Sequence, residues 1–281
     1  MKLFGKKKSK QRLDEILQGQ EPPTFPQGVL SLLKLLRDPD SEISAIAEAL
    51  NWDPGLVVRV LKTVNSAAFG AARKIDSVQH AVSMMGRSQL EQLVLAIAVK
   101  GALPSAPAPG FKADRYWQAA FFRAGMARAV AERLHPADQA RSFTGGLLQD
   151  MAIPLLAHAR PDDYGKVLLE WHGSPSVDLH DLEKEALGFS HDEVGGHLST
   201  DWELPENLTT VIQGHHDDSA TDAELPPALR LVALHRETER EYGIEAMIEA
   251  AKTMYGLAAD WLKKTITASE QQAIDISRSF G

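Results

Sequence analysis

The sequence of 281 residues contains no cysteine. This absence excludes disulfide bridges, zinc sites with cysteine ligands, iron–sulfur clusters and a thiol nucleophile, so any metal ion would need histidine or carboxylate ligands. Long hydrophobic runs are also missing, because no apolar stretch approaches the roughly 20 residues that cross a bilayer. The basic start leads into polar sequence without the apolar centre of a signal peptide. We expect a globular, cytoplasmic protein with no membrane span.

Positive charge is scarce beyond the first residues. The chain has 30 lysines and arginines against 38 aspartates and glutamates, a formal net charge of −8. Six basic residues and no acidic one lie within residues 1–12, which leaves residues 13–281 with a net charge of −14. A body of this charge repels nucleic acid over most of its surface, which argues against a nucleic-acid partner. Residues 1–20 are interpreted as a basic, solvated N-terminal tail.

Strand-like alternation of useful length is absent, and apolar residues recur at helical spacings of three and four along most of the chain. The pattern predicts an all-α fold. Three prolines and a glycine within residues 103–110 predict a linker between two helical lobes, at about residues 21–103 and 111–218. Residues 113–134 have the pattern of one long, largely buried helix, the expected spine of the second lobe. Residues 219–281 are predicted to form a C-terminal helical extension.

Residues 46–61 have the pattern of a helix, a short turn and a second helix. Asp53 can cap the second helix, and Pro54 suits its first position. The order resembles a DNA-binding helix-turn-helix, whose second helix needs exposed polar and basic residues in the major groove. Arg59 and Lys62 stand there among apolar residues, which favours burial in the lobe. A DNA-binding regulator acting through this second helix remains one alternative.

Histidine and aspartate residues cluster in the second half of the chain. Imidazole and carboxylate groups that converge from several helices can hold a divalent ion, whose bound water can attack a phosphate ester. The spacing alone does not decide, because helix capping and surface exposure explain such residues equally well. The candidates are His191, His197, His215, His216, Asp150, Asp192, Asp217 and Asp218.

Five short motifs carry a family resemblance. In the first half they are VNSAAFG at residues 64–70 and IDSVQHAV at residues 75–82. In the second half they are GGLLQD at residues 145–150, LGFSHDEVG at residues 187–195 and IQGHH at residues 212–216. Together they resemble the HD-related output domain (HDOD) family of bacterial signal-transduction proteins, over about residues 22–216. The resemblance implies two all-α lobes, the second similar to HD-type metal phosphohydrolases, and usually a regulatory or scaffolding role in place of catalysis.

The resemblance also implies a degenerate metal site. By this resemblance, Ala119, Gln149 and Arg236 occupy positions that hold metal ligands in HD phosphohydrolases. Alanine has no donor atom, an amide replaces imidazole poorly, and arginine brings a positive charge toward the cation. The residual metal-site candidates are Asp150, His191, His215 and His216. We therefore expect no cofactor, or at most a weakly bound divalent metal.

The family-signature motif contains Asn65, Ser66 and Gly70 at the end of an apolar helix. Asn and Ser side chains can tie down the backbone of a helix end, and glycine lets the chain turn with positive φ, so the motif favours a structural clasp. The alternative is that the neighbouring Arg73 and Lys74 contact the phosphate of a nucleotide messenger.

The sequence thus predicts a non-catalytic signal-transduction module that binds a protein partner in a signalling pathway, with a nucleotide messenger as a further candidate ligand. Two alternatives stay open: a residual metal-dependent phosphohydrolase or phosphodiesterase that uses the four candidate metal ligands, and the helix-turn-helix regulator.

Overall fold

The computed structural model describes residues 2–65, 74–105, 108–174, 177–236 and 240–279. Helices joined by turns and irregular segments make up these residues, and no strand occurs among them, which confirms the predicted all-α class. Within the same residues, no helix is both long and apolar enough to span a bilayer.

The first group of helices surrounds a long helix that has a break. It contains α2 (Gln27–Arg37), α3 (Ile43–Asn51), α4 (Pro54–Val64) and α5 (Val78–Ala102), and each of the first three packs against α5. The Asp53 side chain accepts from the Leu56 amide at 2.9 Å and Pro54 follows it, so the predicted start of α4 is confirmed. Gly86, with φ of 77°, interrupts α5.

The second group of helices is built around α6 (Ala113–Leu134), the predicted spine. It is largely buried and packs against α7 (Gln139–Leu148) and α13 (Pro227–Ala233). The helices between these two are α8 (Ala152–Ala159), α9 (Pro161–Gly173), α10 (Leu179–Leu187), α11 (His191–Asp201) and α12 (Glu206–Gly214). Contacts between α5 and α7 join this group to the first.

The basic N-terminal segment is not a solvated tail in the described residues, so that interpretation was wrong. Residues Lys2–Ile16 form α1, which packs against α11. Leu13, Ile16 and Leu17 are almost fully buried there. Arg12 Nε also lies 2.9 Å from Glu193 Oε1. Three apolar residues at helical spacing are enough to anchor α1, although most of its other residues are charged or polar.

The C-terminal residues form α14 (Arg240–Tyr255) and α15 (Ala259–Ser279). The α15 helix packs against α6 in the second group and against α4 in the first. Its buried side chains include Leu262, Ile266 and Ile276. The C-terminal extension is therefore helical, and its last helix is part of the hydrophobic core that joins the two groups.

Asn65 forms the predicted clasp at the end of α4. Its Nδ2 donates to the carbonyl oxygens of Leu61 and Ile75, both at 2.7 Å, and its Oδ1 accepts from the Ile75 amide at 2.8 Å. These bonds tie the end of α4 to the chain just before α5. The other signature residues, Ser66 and Gly70, lie outside the described residues, as does Arg73, and Lys74 is exposed.

The clasp makes a testable contribution to stability. We expect Asn65→Ala to lower the free energy of unfolding by about 1–2 kcal/mol, because the Ile75 amide and carbonyl lose their partner. Urea denaturation at neutral pH measures the change. Asn51→Ala, at an exposed position at the end of α3, serves as the control and should change the value by less than about 0.5 kcal/mol. Equal effects of the two substitutions would show that Asn65 is not a clasp.

Candidate functional site

The four residual metal-site candidates come together where several helices begin or end. Asp150 lies two residues beyond α7, His191 is the first residue of α11, and His215 directly follows α12. Close packing of α11 on α12 brings the last two together: a Cβ at Gly195 would lie 2.8 Å from Ile212 Cγ2, so glycine permits the approach. Asp150, His191 and His215 are buried and His216 is partly buried.

Polar atoms of these four side chains converge on one point. His191 Nε2 lies 3.2 Å from His215 Nε2 and 3.1 Å from His216 Nε2. Asp150 Oδ1 lies 3.1 Å from His215 Nε2 and 3.4 Å from His191 Nε2. Nitrogen and oxygen ligands about 2.1 Å from a tetrahedral ion stand roughly 3.4 Å from one another. The cluster thus has the size of a site for a single divalent ion, and its three histidines can supply the ligand atoms.

Hydrogen bonds from the opposite side fix two of the imidazole rings. His215 Nδ1 lies 2.9 Å from the Ile212 carbonyl oxygen, which can only accept, so Nδ1 carries a proton. His191 Nδ1 lies 2.7 Å from Glu183 Oε2, which also accepts from the His191 amide at 2.7 Å. In both rings Nε2 is the atom turned toward the other members of the cluster.

Arg123 is the residue of the site that the sequence analysis missed most clearly. It lies on α6, four residues after Ala119, and its side chain is 3% exposed. Its Nη2 is 2.6 Å from Asp150 Oδ2, the carboxylate oxygen that does not face the histidines. A fixed positive charge therefore already neutralises the aspartate of the site. An arginine within the apolar run of the spine helix was the available sequence signal.

Neighbouring charges and burial shift the pKa values of three side chains in the cluster. Burial disfavours the charged form of Asp150, but the Arg123 charge and hydrogen bonds from His191 and His215 outweigh it and hold its pKa well below the usual range. Burial also opposes a charge on His191, yet the charge of Glu183 and hydrogen bonds with Asp150 raise its pKa well above the usual value. Burial and the charges of His215 and His191 lower the pKa of His216 strongly, which keeps it neutral.

The three residues that the sequence resemblance matches to phosphohydrolase metal ligands lie in and around the site. Ala119 is buried and offers no donor atom, and the buried Gln149 Oε1 has no hydrogen-bond partner among the described residues. Arg236 borders the same cavity, where its guanidinium donates to the Trp171 carbonyl at 2.7 Å and lies over the Trp171 ring. These residues do not fit a two-metal centre, whereas the histidine cluster fits one ion.

Two further histidines have different surroundings. His180 Nδ1 lies 2.7 Å from Asp192 Oδ1, and its ring centroid is 4.9 Å from that of His216, at the edge of the cluster. His197 lies on the other side of α11 and contacts the Ser9 hydroxyl of α1 at 3.1 Å. His197 is thus not part of the candidate site.

A cavity of about 710 Å³ opens from the histidine cluster. Its walls include the start of α10, the helix α13 and the α14 residues Ala246, Ala250 and Met254. Its polar lining includes the acidic Asp178, Asp181, Asp217 and Asp218 together with Arg230 and Arg236. The volume falls in the range of about 300–1,000 Å³ that holds small-molecule ligands in proteins.

The described residues define an all-α protein with a buried histidine cluster at the end of a cavity. Its sequence matches the HDOD domain over residues 23–218, which is more than half of the chain. The chain therefore belongs to the HDOD domain family, and the resemblance drawn from the sequence motifs is confirmed.

The chain is also similar to individual known proteins. An uncharacterized protein of Treponema pallidum (strain Nichols) is 27% identical over 230 residues, which are 82% of this chain and 43% of the relative. The chain thus spans less than half the length of that relative. Among solved structures, an HDOD domain protein of unknown function from Geobacter sulfurreducens is 25% identical with a TM-score of 0.67, covering 89% of this chain and 80% of that one.

Two more solved structures share the fold. A candidate phosphohydrolase from Shewanella amazonensis SB2B is 23% identical with a TM-score of 0.74, covering 96% of this chain and 98% of that one. A candidate signal transduction protein from Marinobacter aquaeolei VT8 is 21% identical with a TM-score of 0.76, covering 95% of this chain and 61% of that one.

Proposed function

We propose that this HDOD chain is a regulatory module of signal transduction that acts by binding a protein partner and does not hydrolyse phosphate esters. The observation that carries the proposal is the buried ion pair between Arg123 Nη2 and Asp150 Oδ2 at 2.6 Å. The guanidinium contacts the carboxylate from α6, the helix that also carries Ala119, which the sequence resemblance matches to a phosphohydrolase ligand. A fixed cation therefore already pairs with the carboxylate oxygen that a second metal ion would need as a ligand.

The remaining cluster supports a single divalent ion, held by His191, His215 and His216 with Asp150 beside them. When bound, such an ion supplies Lewis acidity and a position for an anionic ligand in the adjoining cavity. In this proposal the ion and the cavity hold a regulatory ligand, for which a nucleotide messenger is a candidate.

Metal content and phosphoesterase activity test the proposal together. We expect protein purified without chelators or metal-affinity steps to contain at most one equivalent of divalent transition metal per chain. With added Mn²⁺ it should hydrolyse bis-(p-nitrophenyl) phosphate and p-nitrophenyl phosphate no faster than the Asp150→Ala variant. Turnover by the natural protein that is lost in that variant would contradict a non-catalytic role.

The three-histidine cluster favours one second candidate, a phosphohydrolase with a single metal ion. That activity would use the same four side chains and would require the Asp150-dependent turnover just described. The pairing of Asp150 with Arg123 argues against it, since the carboxylate already has a cationic partner.

A further inference from the structure

We propose that Glu183, held in place by Tyr164, is the positioning residue that prepares His191 to bind the single divalent ion. This inference rests on the one-ion site proposed above and adds two residues that neither the motifs nor the departures from the ligand pattern identify. The geometry behind it is a chain of contacts from Tyr164 on α9 through Glu183 on α10 to His191 on α11.

Both carboxylate oxygens of Glu183 accept hydrogen bonds. Oε1 accepts from the Tyr164 hydroxyl at 2.5 Å, and Oε2 accepts from the amide and Nδ1 of His191, each at 2.7 Å. Glu183 and Tyr164 are completely buried. The carboxylate therefore holds the start of α11 and the imidazole ring of its first residue at the same time.

The charge of Glu183 points to a role beyond packing. A carboxylate in a fully buried position is costly. Glutamine could accept both bonds from His191 with its single oxygen and donate to the Tyr164 hydroxyl with its amide nitrogen, without a buried charge. Histidines that bind metals commonly donate their second ring nitrogen to a carboxylate, which orients the ring and makes the ligating nitrogen more basic. A structural role alone does not require this charge.

The direction of the His191 ring agrees with this role. Because Nδ1 is bound to Glu183, Nε2 is the atom that faces the Nε2 atoms of His215 and His216 and the Asp150 carboxylate. His215 is oriented by a neutral backbone carbonyl instead. Among the described members of the cluster, His191 is thus the ligand with a buried carboxylate as its second partner.

Binding of Co²⁺ and Zn²⁺ to metal-free full-length protein tests the proposal. Titration calorimetry measures affinity, and the visible spectrum of Co²⁺ reports ligand geometry. We expect Glu183→Gln to lower the affinity roughly 10- to 100-fold and to alter the Co²⁺ spectrum. Tyr164→Phe should weaken binding less, because Glu183 keeps its charge. Glu185→Gln, exposed on the same helix, is the matched control and should bind like the natural protein.

Thermal unfolding of each metal-free variant separates positioning from stability. If Glu183→Gln melts at a lower temperature but binds Co²⁺ as tightly as the control, Glu183 is structural and the inference is wrong. If the Gln variant does not fold, unchanged Co²⁺ affinity and an unchanged spectrum in Tyr164→Phe would overturn the role of the pair. If the natural protein itself binds neither ion, the proposed one-ion site is absent, and the inference about Glu183 is wrong for that reason.

Discussion

Replacing Arg123 by methionine is expected to lower the free energy of unfolding by about 3–5 kcal/mol, which is the usual cost of breaking a buried ion pair from one side. Methionine fills much of the same volume but leaves the Asp150 carboxylate, 8% exposed, without its guanidinium partner. Urea denaturation of metal-free protein at pH 7 measures the change.

A double-mutant cycle isolates the pair itself. In the Arg123→Met background, Asp150→Asn should restore part of the lost stability, because it removes the uncompensated charge. The coupling between the two positions is expected to be about 2 kcal/mol or more. Additive effects of the two substitutions would mean that Arg123 stabilises the fold by packing alone, and would remove the main support for a fixed cation at the site.

The Arg123–Asp150 ion pair also predicts how the effect of Arg123→Met depends on pH. The pKa of Asp150 is lower in the folded protein than in the unfolded chain. The ionised carboxylate therefore contributes fully to the free energy of unfolding above the unfolded pKa of about 3.9. This contribution is lost as the pH falls through the folded pKa. The cost of Arg123→Met should therefore stay constant from neutral pH down to about pH 5. A cost that already falls between pH 7 and pH 5 would show that another group supplies it.

Much of the fold could be predicted because its helices follow a local apolar period and have local start signals. The spine at Ala113–Leu134, the cap at Asp53 and the clasp at Asn65 all depend on residues close in sequence. The N-terminal helix was missed for the opposite reason. Its lysines dominate the composition, whereas the surface of α11 that buries Leu13 and Leu17 is more than 170 residues away in the sequence.

The site was predicted in part. The types and motifs of Asp150, His191, His215 and His216 pointed to a shared centre. In the structure each of the four lies within hydrogen-bond distance of at least one other. Glu183 stands among other charged residues in the sequence of α10, and its burial depends on the packing of α9, α10 and α11. No local pattern in the sequence specifies which helices become neighbours, so partners such as Glu183 are visible only in three dimensions.

Gly146→Ala is expected to lower the free energy of unfolding by about 3 kcal/mol, at the upper end of the range for overpacking. Gly146 lies on α7 where it crosses the spine helix α6. A Cβ at this position would stand 2.9 Å from the Arg123 carbonyl oxygen and 3.2 Å from the Ala124 nitrogen. Backbone atoms cannot rotate away as a side chain can, so the two helices would have to move apart. Urea denaturation measures the loss.

Gly101→Ala is the matched control, since it adds the same methyl group to a helix at an exposed position with no neighbour within 4 Å. It should raise the stability by up to about 1 kcal/mol, because alanine favours the helix over glycine.

Separation of α6 from α7 would also pull Arg123 away from Asp150, which lies just beyond α7. Gly146→Ala should therefore cost less in an Arg123→Met background than in the natural protein. Equal costs in the two backgrounds would show that the helix crossing and the ion pair stabilise the fold independently.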